Sequence, residues 1–162
     1  MDHSERRGAA APEGVSVRRA TTGDAAAMGR IADAAYEPYV SRIGRPPAPM
    51  LADYPDVVRH GHTWVAEHAG QLVGFVVLEP AGDHLLVENV AVDPASQGLG
   101  IGGRLLALAE DEAHALGVAE LRLYTNEMMT ENLDYYPRRG YRETHRAEQD
   151  GYGRVFFSKR LP

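Results

Sequence analysis

The feature that most constrains this chain is a glycine-rich run at residues 97–103, QGLGIGG, which separates two strongly patterned segments. Before it, residues 85–92 form a largely apolar run of strand length. After it, residues 102–117 repeat apolar side chains at helical spacing and end at a glycine. Glycines between a strand and a helix let backbone N–H groups approach a ligand, and the helix N-terminus adds partial positive charge. The run therefore predicts a phosphate site built from backbone.

Two other interpretations of these glycines stay open at this point. The run can be no more than a tight strand-to-helix connection. It also spells GxGxxG at Gly98, Gly100 and Gly103, a pattern typical of dinucleotide-binding folds. That pattern normally follows the first strand of a domain. Here three predicted strands come before the one that leads into the run, and residues 93–97 lie between that strand and the first glycine, which disfavours a dinucleotide fold. No Gly-Lys-Ser/Thr follows, so a P-loop is excluded.

Length, charge and cysteine content limit the class of protein. The 162 residues predict a mobile tail over residues 1–14 and a single domain over residues 15–162. A net charge of −6 argues against a general nucleic-acid binder, and no apolar run is long enough to suggest a membrane span. The absence of cysteine excludes disulfides and a thiol nucleophile and fits a reducing cytoplasm, the location we predict. No set of residues with metal-ligand spacing stands out, so no metal is predicted.

Hydrophobic periodicity predicts the element order β-α-α-β-β-β-α-β-α-β-β, a mixed α/β sheet. The predicted strands lie at residues 15–18, 63–68, 71–79, 85–92, 120–125, 140–146 and 154–160. The predicted helices lie at residues 24–36, 51–59, 102–117 and 129–139. Tight hairpin turns are predicted at Ala69-Gly70 and Asp150-Gly151. Residues 37–50, with four prolines, are predicted to be mostly loop.

Two segments resemble motifs of the GNAT family of N-acetyltransferases. The glycine-rich run resembles the family's central motif, Gln or Arg followed by x-x-Gly-x-Gly/Ala, and YYPRRGYRE resembles its C-terminal signature of tyrosine, three residues, glycine and an aromatic. The matching positions are Gln97, Gly100, Gly102, Tyr136, Gly140 and Tyr141. The resemblance covers about residues 15–160. It implies a GNAT-like α/β (mixed α+β) fold, whose central, mixed, mostly antiparallel, twisted sheet of six to seven strands is flanked by about four helices.

The resemblance also implies the chemistry. It indicates an enzyme that transfers the acetyl group of acetyl-CoA directly to a primary amine, in a ternary complex and without an acyl-enzyme. A small molecule is the expected acceptor, ahead of a protein amine. A homodimer is expected as well, because family members often dimerise and residues 154–160 are apolar enough to pair. A non-catalytic acyl-CoA-binding regulatory domain, and an acyltransferase with a different acyl-CoA, stay open as alternatives.

The coenzyme A site follows from the same resemblance, because family members pair the pantetheine arm with the strand before the glycine run and bind the pyrophosphate on the run itself. The expected contacts are Val90, Ala91, Val92, Gln97, Gly98, Leu99, Gly100, Ile101, Gly102, Gly103, Arg104 and Asn132. The family's asparagine seven residues before the tyrosine is replaced by Met129, for which Asn126 or Asn132 is the candidate substitute. Arg138 and Arg139 are candidates to neutralise the adenosine 3′-phosphate.

Two residues are the candidates for acid–base chemistry. Tyr136 matches the family's tyrosine that protonates or hydrogen-bonds the leaving sulfur; Pro137 disfavours helical geometry there, so Tyr135 is the alternative. Glu88 is the candidate base, acting directly or through water. Strict alternation places it on the sheet face of Val90, in a strand that is otherwise apolar. The competing interpretation is a glutamate paired with an arginine.

The variable region between the first strand and the hairpin is predicted to form the acceptor pocket. Tyr36, Tyr39 and Arg42 combine aromatic faces with a cation, which suits a small, partly anionic amine. A lid packed on the core is the alternative for this region. Asn89 is a further candidate to orient the acceptor, or else it caps a turn.

Overall fold

Seven strands and five helices make up residues 14–162, which the computed structural model describes; the predicted tail lies outside the described residues, apart from Gly14. The strands are β1 Val15–Arg19, β2 Thr63–His68, β3 Gln71–Pro80, β4 Leu85–Val92, β5 Glu120–Asn126, β6 Arg142–Gln149 and β7 Tyr152–Arg160. The helices are α1 Ala25–Tyr36, α2 Val40–Ile43, α3 Tyr54–Arg59, α4 Ile101–Ala115 and α5 Thr130–Arg138. The predicted mixed α/β architecture is confirmed.

The strands form one sheet in the order β1-β2-β3-β4-β5-β7-β6. Every neighbouring pair is antiparallel except β4 and β5, which run parallel and are connected through α4. The sheet is therefore mixed and mostly antiparallel, as the resemblance implied. Its last strand in sequence, β7, which contains residues 154–160, lies between β5 and β6, so both of its edges are already paired within the sheet. The exposed edge at this end is β6.

Both predicted hairpin turns are present, and their backbone explains their sequence. Ala69 and Gly70 have φ of 52° and 77°, and Asp150 and Gly151 have φ of 53° and 80°. Two consecutive positive φ angles are typical of a two-residue turn whose twist matches that of the flanking strands, and Asp-Gly is a preferred sequence for it. These turns set the register of β2 with β3 and of β6 with β7.

Each face of the sheet carries its own hydrophobic cluster. On one face, Leu105 and Leu106 of α4 pack with Leu121 and Leu123 of β5. On the other face, α1 and α3 cover part of the sheet, and the buried side chains there are Met28, Ile31, Val58, Val65 and Phe75. The amphipathic pattern of each helix thus decides which face it covers.

Residues 37–50 are more helical than the prediction of a mostly irregular loop. The segment contains 3-10 turns at Glu37–Tyr39 and Ala48–Met50 as well as α2. Pro38 and Pro49 do not break these short elements, because both lie in the first turn. The backbone N–H that proline lacks would have no hydrogen-bond partner within the helix at such a position. Gly44 ends α2 with a left-handed φ of 92°.

The sheet is interrupted next to its centre. A β-bulge shifts the register between β3 and β4, so that Val77 pairs with Asn89 and Leu78 with Val87, leaving Glu88 without a partner on β3. On its other side, β4 pairs with β5 only from Leu85 to Val87. From Glu88 onward the two parallel strands have no register with each other. This divergence creates the cleft described below.

The close packing of the strands beside the cleft can be tested by a substitution at Gly74 of β3. A Cβ atom at this position would lie 2.9 Å from the Ala91 carbonyl oxygen and 3.2 Å from Cγ2 of Ile101. We expect Gly74→Ala to lower the free energy of unfolding by about 1–3 kcal/mol, because the β4 backbone must shift. The measurement is urea unfolding followed by circular dichroism.

The matched control is Gly29→Ala in α1, where the added Cβ would lie 3.8 Å from the Tyr54 ring, an ordinary contact. This substitution removes helical glycine, so we expect unchanged or slightly higher stability, by up to about 1 kcal/mol. Equal stability of Gly74→Ala and the parent protein would contradict the tight packing described here.

Candidate active site

A cavity of about 530 Å³ opens where β4 and β5 diverge. This volume lies within the range of about 300–1,000 Å³ that is usual for ligand sites. The cavity extends from the glycine run at the N-terminus of α4 to the side chains of Tyr152 and Arg154 on β7. One continuous space therefore connects the predicted phosphate site with the predicted acceptor region.

Most of the site residues predicted from the sequence meet in this cavity. Those that line it are Tyr36, Tyr39, Glu88, Asn89, Val90, Ala91, Val92, Gln97, Gly98, Gly100, Ile101, Gly102, Gly103, Asn132 and Tyr136. Three predicted residues do not line it: Leu99, Arg104 and Arg42. Leu99 is exposed to solvent. The backbone N–H of Arg104 makes the first hydrogen bond of α4, to the Gly100 carbonyl at 3.1 Å.

The glycine run presents backbone donors to one end of the cavity. Gly98 and Gly100 have left-handed φ of 87° and 78°, which favour glycine. The amides of residues 98–103 donate to no other backbone group within residues 14–162. Because α4 begins at Ile101, these free N–H groups coincide with the positive end of its dipole. The geometry is that of an anion site.

Arg139 adds a side-chain cation to the same end. A Cβ atom built on Gly103 would approach its Nη1 to 2.8 Å, so the guanidinium lies directly against the first turn of α4. It stacks on the Tyr135 ring at 4.7 Å and lines the cavity. Arg138 does not line it; its Nε donates to the Asp134 carbonyl at 3.2 Å. Of the two arginines considered, Arg139 is therefore the one that faces the cavity.

The second wall is the edge of β4 that no longer pairs with β5. Residues 88–92 line the cavity, and their backbone groups on this edge have no strand partner. One of them, the Val90 carbonyl, accepts a 3.2 Å hydrogen bond from the Tyr36 hydroxyl. On the opposite wall, the Asn132 side-chain amide donates to the Thr125 hydroxyl at 3.0 Å, which fixes its orientation at the cavity surface.

Tyr136 has helical geometry in α5 although Pro137 follows it, contrary to the effect expected of the proline. Pro137 is one residue from the end of the helix, where it removes a single backbone bond. The Tyr136 ring packs against Tyr141 and Phe157, with centroids 5.6 and 5.8 Å away, and burial raises the pKa of its hydroxyl. The residue lines the cavity. Tyr135 instead places its hydroxyl against Gly102.

Glu88 does not share the face of Val90, because the bulge breaks the alternation on which that prediction rested. Val90 packs against the cluster that contains α4, whereas Glu88 and Asn89 also line a smaller neighbouring cavity of about 100 Å³ with Tyr54. Burial of part of the side chain, followed by repulsion from Glu79, raises the pKa of the Glu88 carboxyl. No arginine pairs with Glu88 within the described part of the chain, so the alternative of a glutamate paired with an arginine is not seen there.

Asn89 holds helices together rather than projecting a free amide. The Tyr36 hydroxyl donates to its Oδ1 at 2.7 Å, and its Nδ2 donates to the Tyr54 hydroxyl at 3.3 Å. Tyr54 in turn donates to the Pro49 carbonyl at 2.5 Å. This chain of hydrogen bonds fixes α1 and the 48–50 turn to the bulged part of β4.

Arg42, predicted to bind the acceptor, forms an ion pair within the protein instead. Its Nη1 lies 2.6 Å from Oε1 of Glu131, and the Tyr39 hydroxyl donates to Oε2 of the same residue at 2.8 Å. These partners, Arg42 first, lower the pKa of the Glu131 carboxyl to about 2. The contacts connect the 3-10 turn at Glu37–Tyr39 and α2 with the start of α5, which gives the cation at position 42 a structural role.

The sequence analysis missed three residues that line the far end of the cavity: Tyr124, Tyr152 and Arg154. A signal was present, because alternation in β7 places Arg154 between Tyr152 and Phe156 on one sheet face, and a charge in such a strand is unusual.

Within residues 14–162, no helix is long and apolar enough to cross a membrane. The same residues contain no group of three His, Cys, Asp or Glu side chains that could hold a metal ion.

Comparison with known proteins identifies the family. Residues 59–143, just over half of the chain, match the family model described as an acetyltransferase (GNAT) domain. The chain belongs to the GNAT family. The GNAT resemblance read from the two sequence motifs is thereby confirmed.

Individual GNAT relatives match only parts of their own length. The mycothiol acetyltransferase of Rhodococcus jostii is 49% identical over 53 residues, which is 32% of this chain and 16% of that protein. The IAA acetyltransferase of Azospirillum brasilense is 33% identical over 79 residues, covering 48% of this chain and 52% of that protein. The chain therefore spans about half or less of the relatives it matches.

Solved structures extend the likeness over nearly the whole chain. The PaiA N-acetyltransferase of Thermoplasma acidophilum, solved with coenzyme A, has a TM-score of 0.73 at 16% identity and covers 91% of this chain and 99% of that chain. A GCN5-related N-acetyltransferase from Rhodopseudomonas palustris has a TM-score of 0.77 at 22% identity and covers 93% and 98%. These structures support the GNAT fold.

Arg139 provides a test of the GNAT phosphate end of the cavity. We expect Arg139→Gln to weaken coenzyme A binding by about 10–100-fold, because a hydrogen-bonded charge at the anion site is lost. Isothermal titration calorimetry with coenzyme A measures this effect. The control is Arg138→Gln, which removes a neighbouring arginine outside the cavity and is expected to bind like the parent protein. Equal losses in both variants would assign the effect to general charge rather than to this site.

Proposed function

We propose that the protein transfers the acetyl group of acetyl-CoA directly to the primary amine of a small molecule. The observation that carries this proposal is the single cavity that joins the free amides of the glycine run and the open edge of β4 to the Glu88 carboxylate and the Tyr136 hydroxyl. A phosphate site and a candidate acid–base pair in one space suit a ternary complex better than a storage or scaffold role.

The donor would be held mainly by backbone. The amides of residues 98–103 and the Arg139 guanidinium suit the diphosphate, which allows a protein with a net charge of −6 to bind a polyanion. The unpaired β4 edge from Glu88 to Val92 suits the amide groups of the pantetheine arm. A backbone N–H of that edge would polarise the thioester carbonyl as it becomes tetrahedral.

Two side chains would then move protons. Glu88 accepts the proton that the acceptor nitrogen loses as it bonds to the carbonyl carbon, and Tyr136 donates its proton to the sulfur as the C–S bond breaks. The raised pKa of each side chain suits its part, because Tyr136 stays a neutral donor and Glu88 is a stronger base than an ordinary carboxylate. The transfer needs no acyl-enzyme, in keeping with a chain that lacks cysteine.

A small acceptor is favoured by the enclosure of the far end of the cavity. The Tyr152 hydroxyl donates to the Pro46 carbonyl at 2.5 Å, and Arg45 stacks over the same ring at 3.7 Å, so residues 45–50 cover the β6–β7 turn. Mycothiol, the compound in the name of the mycothiol acetyltransferase relatives, is also a small molecule. A cytoplasmic location and a homodimer, which would use the exposed β6 edge rather than β7, belong to the same proposal.

Calorimetry with acetyl-CoA, followed by free-thiol release against a panel of small amines and peptides, tests the proposal. We expect donor binding and thiol release with small amines. Binding without release on any amine would indicate the regulatory acyl-CoA-binding alternative, and preference for a longer acyl-CoA would indicate a different acyl donor. A donor that does not bind at all would exclude the proposed activity.

Tyr136→Phe is expected to lower kcat by about 10–1,000-fold with little change in donor affinity, because the ring and its packing are retained while the proton donor is lost. Thiol-release kinetics at saturating donor measure the effect. Tyr135→Phe is the matched control, since its hydroxyl lies against Gly102, and we expect nearly normal kcat. A larger loss in Tyr135→Phe than in Tyr136→Phe would reverse the assignment.

The role of Glu88 as the base can be tested through the pH dependence of kcat/KM in variants of Glu88 and Glu79. The base is active when deprotonated, so activity falls as the pH drops through the pKa of Glu88, which Glu79 raises by repulsion. Glu79→Gln removes that repulsion and should move the acidic limb to lower pH. Glu88→Gln should reduce kcat/KM by about 10–100-fold and abolish the limb.

Glu148→Gln, an exposed change on β6, controls for the loss of one negative charge and should leave the profile unchanged. An acidic limb that does not respond to either Glu79→Gln or Glu88→Gln would remove Glu88 from the mechanism.

A further inference from the structure

Arg154 is a buried cation with little to neutralise it. Its side chain lines the cavity at the end opposite the glycine run, and the residue is only 8% exposed. Within residues 14–162 its guanidinium makes one side-chain hydrogen bond, from Nη1 to Oε1 of Gln149 at 2.9 Å, and no ion pair. A guanidinium has five N–H donors, and burying a charge without an opposite one costs free energy.

Aromatic rings hold this cation in place without neutralising it. The guanidinium carbon lies 4.3 Å from the Tyr124 ring centroid and 5.9 Å from that of Tyr152. Arg45 approaches the Tyr152 ring to 3.7 Å and donates to the Asp150 carbonyl, again with no carboxylate partner among the described residues. Arg45 is exposed and does not line the cavity, so Arg154 is the guanidinium that faces the cavity at this end, in a protein of net charge −6. Such an arrangement is typical of an anion subsite.

Tyr124 is a neighbour of both the subsite and the candidate base: its ring centroid lies 4.3 Å from the Arg154 guanidinium carbon, and it lines both cavities together with Glu88. Burial raises the pKa of the Tyr124 hydroxyl, Arg154 opposes this rise and Glu88 adds to it, so both charges act on one side chain. All three residues line the same cavity. A ligand that reaches from Glu88 past Tyr124 to Arg154 therefore meets a carboxylate at one end and a guanidinium at the other.

We infer that the acceptor is an amine that also carries an anionic group, a carboxylate, phosphonate or phosphate, and that Arg154 binds this group while Glu88 faces the amine. The inference rests on the proposed acetyl transfer and specifies its substrate class. A guanidinium binds a carboxylate or phosphate oxygen pair through parallel N–H donors, and a ligand of this kind supplies the charge that Arg154 lacks in the protein. Arg42, which is engaged by Glu131, plays no part in this recognition.

Pairs of amines that differ only in the anionic group test the inference. Suitable pairs are β-alanine with ethylamine, 2-aminoethylphosphonate with ethylamine, and phenylalanine with phenethylamine. We expect the anionic member of at least one pair to have the higher kcat/KM in thiol release. Arg154→Gln should lower kcat/KM for that member by about 10–100-fold and change the neutral member by less than about 3-fold. Arg154→Lys, which keeps the charge but not the planar fork, should recover part of the loss.

Arg160→Gln is the matched control, because Arg160 is exposed on the same strand outside the cavity. Thermal unfolding and acetyl-CoA titration verify that each variant folds and binds the donor. Equal losses for both members of every pair in Arg154→Gln would show a purely structural arginine and overturn the inference. A parent protein that prefers the neutral members would overturn it as well.

Calorimetry of the anionic amines on protein saturated with coenzyme A separates this inference from the proposed function. Binding that requires Arg154 but is never followed by thiol release would support the anion subsite and exclude the transfer reaction. Thiol release with neutral amines alone would support the transfer reaction and exclude the subsite. Neither binding nor release with any member of the panel would exclude both.

Discussion

The early end of the pairing between β4 and β5 is the constraint on which the site depends. Three residues of each strand are in register, and beyond Val87 the strands diverge. Buried backbone groups normally find partners, so an edge left open inside a fold is either solvated or occupied by a ligand. The bulge at Glu88 coincides with the divergence and turns a carboxylate into the cleft. One local break in the sheet thus creates the groove and positions a candidate base within it.

The distribution of charge in the cavity depends on backbone amides that bind anions in place of side-chain cations. An acidic protein does not attract polyanions by its overall field, but free amides at the start of α4 provide short-range donors that carry no net charge. The cavity therefore needs few side-chain cations, and each of them serves one part of it. Arg139 lies against Gly103 at the glycine end, Arg154 lies against Tyr124, and Glu88 lines the same cavity. This combination of signs in the cavity favours two ligands with separate anionic groups meeting near a carboxylate.

Local chemistry made part of this structure predictable. The two hairpin turns, the glycine run and the helix behind it follow from residues that are adjacent in sequence, and the GNAT motifs predicted the fold. The bulge was not predictable, because it depends on how β3 and β4 pair, and it changed the face assigned to Glu88. The engagement of Arg42 by Glu131, 89 residues away, and the approach of Arg154 to Tyr124 are likewise products of tertiary packing. Side chains that are distant in sequence leave no local signal of their partner.

The aromatic cluster at the end of α5 shows which hydroxyl the fold keeps available. Tyr136 and Tyr141 pack edge to face at 5.6 Å in the same cluster. The Tyr141 hydroxyl is buried and has no hydrogen-bond partner within residues 14–162, which costs stability, so the ring is what that position contributes to the protein. This agrees with a family signature that requires only an aromatic residue there. Tyr136 has its ring fixed by the same packing but borders the cavity. A tyrosine whose ring is held rigidly by aromatic packing at the cavity surface has the preorganisation that proton donation to a departing sulfur requires.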